Sequence, residues 1–257
     1  MILQDVVEIS GAAMRSRQTR VCAAILGLLT AVILALAFSI PWLAMGTAHE
    51  MQIRELLFLG QENSLGEKYC QALSFAIALC FVISATLRRS AVLFALALLF
   101  GFIWFDDTML YHERVGKLLA SGLDLPAVSG LRPQDLGELL AWLVAAMMLF
   151  PVFLRAWFKR QTGEAALLVI LGLCMAALAF FGIVVDMIHV LASGSGTLDF
   201  LFANIEDGGE ILVMAVVAVL AIRVLAMGET QLVRTRRTEP EAARAWAELD
   251  AGVPVTA

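Results

Sequence analysis

The chain alternates long apolar runs with short polar connections. About 20 mostly apolar residues are needed to cross a hydrocarbon core of roughly 30 Å, because an α-helix rises 1.5 Å per residue. Runs of this kind occupy residues 21–43, 69–87, 91–110, 139–154, 165–191 and 205–227. The fourth run is short and contains Pro151, but Pro133 and Asp135 ahead of it indicate an earlier helix start. The pattern predicts six transmembrane helices.

Composition places the chain among integral membrane proteins. Hydrophobic residues make up 61% of it and charged residues only 16%, which lies outside the usual balance of a soluble domain. The first apolar run is too long for the core of a signal peptide, so we expect a retained helix. The predicted fold class is all-α, a polytopic membrane helix bundle. Its transmembrane domain spans residues 21–227, between tails at 1–20 and 228–257.

Basic residues indicate how the helices are oriented. Lys and Arg residues that flank membrane spans are retained on the cytoplasmic side. Most of the 18 basic residues fall on one side of the predicted topology: Arg15, Arg17, Arg20, Arg88, Arg89, Arg155, Lys159, Arg160, Arg223, Arg234, Arg236, Arg237 and Arg244. Both termini are therefore predicted to be cytoplasmic. A basic cytoplasmic rim is the ordinary result of insertion, so we expect no nucleic-acid partner.

Acidic and histidine residues concentrate at the opposite, outer ends of the helices. Three segments carry them: FDDTMLYHE with Asp106, Asp107, His112 and Glu113, DMIH with Asp186 and His189, and EDGGE with Glu206, Asp207 and Glu210. At 1.5 Å per residue, Asp106, Asp186 and Glu210 lie roughly 22 to 32 Å from the inner membrane edge, so the three segments can share one layer. Asp106 and Glu113, seven residues apart, share a face if their helix continues.

The spacing in the other two segments predicts which side chains meet. Asp186 and His189, at positions i and i+3, lie on one helix face. Glu206 and Glu210, at i and i+4, can face one point at the start of the sixth helix. The alternative for this segment is structural: Asn204 would cap the helix, and Glu206 and Asp207 would complement the partial positive charge of its N-terminus.

These residue types suit a metal site inside a membrane protein. A charge within a membrane helix costs several kcal/mol, so such side chains usually pair, bind ions or face the bundle interior. Carboxylates and imidazoles together form the ligand set of zinc, iron or manganese, so we predict a divalent-metal cofactor. The candidate ligands are Asp106, His112, Glu113, Asp186, His189, Glu206 and Glu210. Asp107 and Asp207 are the candidate catalytic residues, as hydrogen-bond partners of the ligands or as proton-transfer groups.

The segments FDDTMLYHE and EDGGE together resemble an uncharacterised family of multi-pass bacterial membrane proteins that carry D-D-x4-H-E and E-D-G segments. This resemblance implies an integral membrane protein and no particular activity. From the topology, we expect a protein of the bacterial inner membrane whose polar pocket opens toward the periplasm. A weaker similarity is to the alkaline ceramidase group of membrane hydrolases, which hold zinc with acidic and histidine residues from several helices. This chain lacks the H-x3-H pair and the seventh span of that group.

The function predicted is hydrolysis, assisted by the metal, of a lipid or another membrane-accessible substrate, with membrane lipids as partners. Three alternatives stay open. A proton- or cation-coupled transporter could use a relay made of Asp106, Asp107, Asp186 and Glu210. A haem protein could use His112 and His189 as axial ligands. A non-enzymatic membrane protein could hold the same residues as a structural polar core.

Overall fold

In a computed structural model, the chain forms an all-α membrane helix bundle, as the apolar pattern predicts. The structure describes residues 17–40, 48–61, 63–128, 130–161, 163–192 and 196–227. Over those ranges there is no strand, and six helices are long and apolar enough to cross a membrane. The predicted tails at 1–20 and 228–257 lie outside these ranges apart from residues 17–20.

The six spans follow the predicted order along the chain. They are α1 at Arg17–Ser39, α3 at Leu65–Arg88, α4 at Ala91–Met109, α6 at Pro133–Phe158, a continuous span at Glu164–Leu191, and α9 at Gly196–Ala226. The fifth span consists of α7 at Glu164–Ala179, a π-helical turn at Phe180–Val185, and α8 at Asp186–Ala192. Two shorter helices lie in the predicted outer connections, α2 at Ala48–Leu57 and α5 at Tyr111–Gly122.

Helix α6 begins ahead of its apolar run, as Pro133 and Asp135 indicated. Pro133 lies in the first turn of the helix, where a missing N–H costs no helical hydrogen bond. The Asp135 carboxylate accepts hydrogen bonds from the backbone N–H of Arg132 at 2.7 Å and from its guanidinium group at 2.7 Å. Polar contacts at the predicted outer end therefore fix the start of this span.

Helix α9 begins much earlier than its apolar run predicted. It starts at Gly196, so the EDGGE segment lies inside the helix and not at its start. The predicted capping role of Asn204 is wrong, because this residue is buried in the helix interior and donates from Nδ2 to the carbonyl of Phe200 at 2.7 Å. The carboxylate of Glu206 therefore has no helix terminus to complement.

The third predicted span ends in a break before His112. Leu110 has φ 50° and ψ 44°, in the left-handed region, and its N–H donates to the carbonyl of Asp106. The chain turns there, and α5 begins as a separate helix that packs against α6. Gly116 of α5 permits this contact, because a Cβ on it would overlap the α6 backbone. The prediction that Asp106 and Glu113 share one helix face is therefore wrong.

The bundle core lies among α3, α4 and α9. Phe81 and Phe100 are fully buried there, with their ring centroids 5.9 Å apart. Buried alanines, among them Ala97, Ala218 and Ala221, line the same core. Small residues let helix backbones approach closely, which matters in lipid because packing drives helix association there.

Polar contacts also fix the predicted inner end of the bundle. The guanidinium of Arg88 donates to the carbonyls of Val224 and Met227, which have no helical partner at the C-terminus of α9. The hydroxyl of Ser90 accepts a backbone N–H of α4 at 3.1 Å and donates to the buried carboxylate of Glu164. These side chains hold helix ends together, which leaves the predicted outer end as the place to look for a site.

Candidate functional site

The first candidate centre, called here the His112 centre, consists of Asp106 and His112 at the junction of α4 and α5. Asp106 is 0% exposed. Its Oδ1 accepts the backbone N–H of His112 at 2.8 Å, and its Oδ2 lies 2.8 Å from His112 Nδ1. The left-handed turn at Leu110 brings the first turn of α5 back over the end of α4, so one carboxylate reaches both donors. The imidazole also stacks on Trp142 of α6, with 5.7 Å between ring centroids.

The surroundings of His112 favour its protonated form. Burial alone would lower the pKa of His112, but the hydrogen bond to Asp106 and the negative charges of Asp106, Glu138 and Glu113 outweigh burial and raise that pKa above its ordinary value. The two hydrogen bonds between Asp106 and His112 tie α5 to α4.

The second candidate centre, called here the His189 centre, joins α8 to α9. Asp186 and His189 lie on one face of α8, as their spacing predicted. His189 Nδ1 lies 3.1 Å from Glu206 Oε2, and His189 Nε2 lies 3.0 Å from Asp199 Oδ1. Because α9 begins before these two acids, Asp199 and Glu206 share a helix face two turns apart. Both imidazole nitrogens therefore have a carboxylate partner.

Three side chains of the His189 centre fit one metal ion. One ligand atom from each of Asp186, His189 and Glu206 lies within 4.8 Å of the other two, and all three residues are partly buried. In a tetrahedral zinc site with bonds near 2.1 Å, neighbouring ligand atoms are about 3.4 Å apart. The 3.1 Å between His189 Nδ1 and Glu206 Oε2 needs little adjustment to reach that separation. One nitrogen and two carboxylates suit zinc, iron or manganese and leave a position for water.

Glu210 links the two centres electrostatically. It interacts with Asp107 and His112, and also with Glu206 of the His189 centre. Its carboxylate lies against Gly182 in the π-helical turn, where an added Cβ would overlap Glu210 Oε1. The missing side chain at Gly182 therefore provides the space that this carboxylate occupies. Turns of this type occur frequently at functional sites.

The carboxylate of Glu113 pairs with a lysine of its own helix. Its carboxylate lies 3.3 Å from Lys117 Nζ, one turn further along α5. The break at Leu110 separates it from Asp106, so the two carboxylates that were expected to share a face make different contacts. Its role as a metal ligand stays a prediction.

Asp107 and Asp207, the predicted catalytic residues, come from different helices toward the start of α3. Asp107 accepts a hydrogen bond at its carbonyl from Gln71 Nε2 at 3.2 Å, and its carboxylate interacts electrostatically with Glu67. Asp207 interacts with Glu67 and with Glu210. Both acids therefore interact electrostatically with Glu210. Neither is one of the three side chains that fit a metal ion.

Comparison with protein families shows which family the chain belongs to and assigns it no activity. A family model matches residues 23–247, which include both histidine centres. The chain belongs to the family described as a domain of unknown function, DUF8692. No curated protein and no solved structure matches the chain. The predicted membership of an uncharacterised family is confirmed, and the comparisons provide no support for a similarity to the alkaline ceramidases.

Sequence reasoning missed Asp199 as a partner of His189. It treated residues 196–204 as a connection, because the continuous apolar run begins only at residue 205. One signal was present: Asp199 and Glu206 are seven residues apart, a spacing that places both on one face if the helix starts before them. An earlier helix start would have grouped these two acids.

Proposed function

We propose that the protein holds a divalent metal ion at the predicted outer end of the bundle, with Asp186, His189 and Glu206 as ligands. The observation that carries this proposal is the convergence of their three ligand atoms within 4.8 Å. Carboxylates in a membrane helix are costly unless a partner offsets their charge. A divalent cation would offset both acids, and zinc, iron and manganese fit the donor set.

The reaction that such a site supports best is hydrolysis of a lipid or another substrate that reaches the membrane surface. An ion held by three protein ligands supplies a nucleophilic water at neutral pH. Exposed apolar side chains flank the ligands on α8 and α9: Ile188, Leu191, Leu198 and Leu201. In a bilayer these side chains would contact acyl chains, which favours a substrate that approaches from the lipid.

Within this proposal, the chain's own acids handle protons. Asp107 and Asp207 stay the candidates for proton transfer, because both interact electrostatically with Glu210. Glu210 follows Glu206 by one helical turn, so both side chains lie on the same side of α9. Protons could therefore pass between the ligand shell and the acids near α3.

Elemental analysis of the full-length protein tests the metal site. The protein is purified in detergent without chelator, after growth with added zinc, iron and manganese, beside His189→Ala and His112→Ala variants. We expect stoichiometric metal in the wild type and in the His112 variant, and loss of metal in the His189 variant. Metal retained at the wild-type level in His189→Ala, or absent from the wild type, would overturn the proposal.

The hydrolytic step has its own test. Wild-type and His189→Ala proteins are reconstituted into vesicles of phosphatidylethanolamine and phosphatidylglycerol, and lipid products are followed by mass spectrometry. We expect a chelator-sensitive product with the wild type alone. Equal product from both proteins, or none from a metal-loaded wild type, would count against hydrolysis of these lipids.

Cation or proton transport is the second candidate, and the position of Glu210 favours it. Acids from α4, α8 and α9 interact with this residue, and such a series can carry a proton or a cation. Proteoliposomes with a trapped pH dye would report a flux that Glu210→Gln abolishes. A flux at the same rate in wild type and variant would remove this candidate.

A further inference from the structure

We infer that Asp199 is a positioning residue of the metal site: its carboxylate accepts the Nε2–H of His189, so that Nδ1 is the nitrogen that faces the metal. This inference rests on the proposed metal site. It assigns a role to an acid outside the three proposed ligands, and it specifies which imidazole nitrogen binds.

The contacts of the imidazole divide its two nitrogens between different tasks. Nδ1 lies 3.1 Å from Glu206, which belongs to the three side chains that fit a metal ion. Nε2 lies 3.0 Å from Asp199, whose carboxylate is not among those three. Histidines that bind metals almost always donate their other N–H to a carboxylate, a carbonyl or water, which fixes the orientation of the ring.

The exposure of these side chains agrees with that division. The Asp199 side chain is 51% exposed, against 22% for His189 and 19% for Glu206. Asp199 thus lies at the water side of the centre, where a carboxylate can stay hydrated while it accepts a hydrogen bond. Asp186 and Glu206 are the acids left on the inner side for the metal.

Asp199 also lies in the first turn of α9, where an acid complements the partial positive charge of the helix. That role requires no contact with an imidazole. The 3.0 Å separation from His189 Nε2 is the observation that helix complementation leaves unexplained. A test must therefore separate an effect on metal affinity from an effect on helix stability.

The test uses metal-stripped, full-length protein in detergent. Zinc affinity is measured by competition with a chromophoric chelator for the wild type and for Asp199→Ala and Asp199→Asn. Asp124→Asn is the matched control, because Asp124 is an exposed acid outside both histidine centres, and its left-handed backbone conformation accepts Asn. Helix content and elution profile are recorded for each variant, and Co²⁺ absorption reports the ligand set.

We expect Asp199→Ala to bind zinc about 10- to 100-fold more weakly, with the wild-type Co²⁺ spectrum, because the acceptor for Nε2–H is lost and the ligands are kept. Asp199→Asn should recover part of the affinity, since its amide oxygen can accept the same hydrogen bond. Asp124→Asn should bind zinc as the wild type does.

Three results would overturn the inference. Equal zinc affinity of Asp199→Ala and wild type would leave the metal site in place and remove the positioning role. A changed Co²⁺ spectrum in Asp199→Ala would make Asp199 a ligand. A wild type that binds no metal would overturn the proposed function itself. If Asp199→Ala fails to fold, the same zinc and Co²⁺ measurements are made on Asp199→Ser, because Ser is tolerated near helix starts.

Discussion

The two histidine centres combine the same residue types in different geometries. At the His112 centre, one imidazole nitrogen faces one fully buried carboxylate, and the two residues lie on either side of a helix break. At the His189 centre, both nitrogens face carboxylates, and a third acid, Asp186, lies on the same helix turn. An Asp and His pair can therefore hold two helices together without forming a metal site. Convergence of further carboxylates is what makes it a candidate metal site.

The largest expected effect is the loss of stability in Asp106→Ala. This change removes the acceptor of two hydrogen bonds, from the His112 ring and from its backbone N–H, and a hydrogen bond to a charged group contributes about 1.5 to 3 kcal/mol. Thermal denaturation in detergent, with chelator present, would measure it. Glu206→Ala under the same conditions should cost clearly less, because the His189 centre is partly exposed. Equal losses of stability in the two variants would mean that the His112 centre is no more important for stability than the His189 centre.

A smaller effect is expected when the space beside Glu210 is filled. A Cβ in Gly182→Ala would overlap Oε1 at the far end of the flexible Glu210 side chain, which can shift, so the cost should stay near the lower limit for overpacking, about 1 kcal/mol. Gly172→Ala, in the same span, is the control, because its Cβ would meet no atom within 4 Å. Thermal denaturation and zinc affinity should both fall in Gly182→Ala only. Unchanged values would show that the π-helical turn adapts without affecting the His189 centre.

The His112 centre should also show a pH dependence of its own. The pKa of His112 is raised in the folded protein, so its stabilising contribution is complete below the ordinary value of about 6.5 and is lost as pH rises through the folded-state pKa. The difference in denaturation temperature between wild type and His112→Gln should therefore shrink from about pH 6 upward. A difference that grows with pH would contradict an ion pair with Asp106.

The smallest effect is expected at the exposed pair on α5. Glu113→Gln removes one ion pair between side chains at i and i+4, which contributes about 0.3 to 0.5 kcal/mol. Denaturation temperature should hardly change, and metal content should stay at the wild-type level. A loss of metal in this variant would support the prediction that Glu113 is a ligand and would extend the site to α5.

The fold was predictable because apolar length alone defines a membrane span. The same criterion could not find the break at Leu110, since a leucine in the left-handed region carries no local signal such as Gly or Pro. It also missed the polar first turns of α9, because residues 196–204 are less apolar than the rest of that span. Helix existence was thus readable from hydropathy, and helix ends were decided by contacts.

The candidate site was partly predictable for a related reason. Asp186 and His189 are three residues apart on one continuous helix, so spacing alone placed them together. Their partner Asp199 comes from the next helix, and its position depends on where α9 starts. Contacts across two helices require tertiary structure, which periodicity within one segment does not supply.

The π-helical turn at Phe180–Val185 changes the direction in which the residues after it face around the axis of the fifth span. An α-helix rotates by about 100° per residue, and a π-helical turn accommodates one additional residue. Deleting one residue from this turn would rotate Asp186 and His189 away from α9, while the length and apolarity of the span would hardly change. Two members of this family could therefore share the same hydropathy profile and differ in whether they have the site. In a sequence alignment of the family, a gap of one residue in this turn would distinguish members without the site from members that have it.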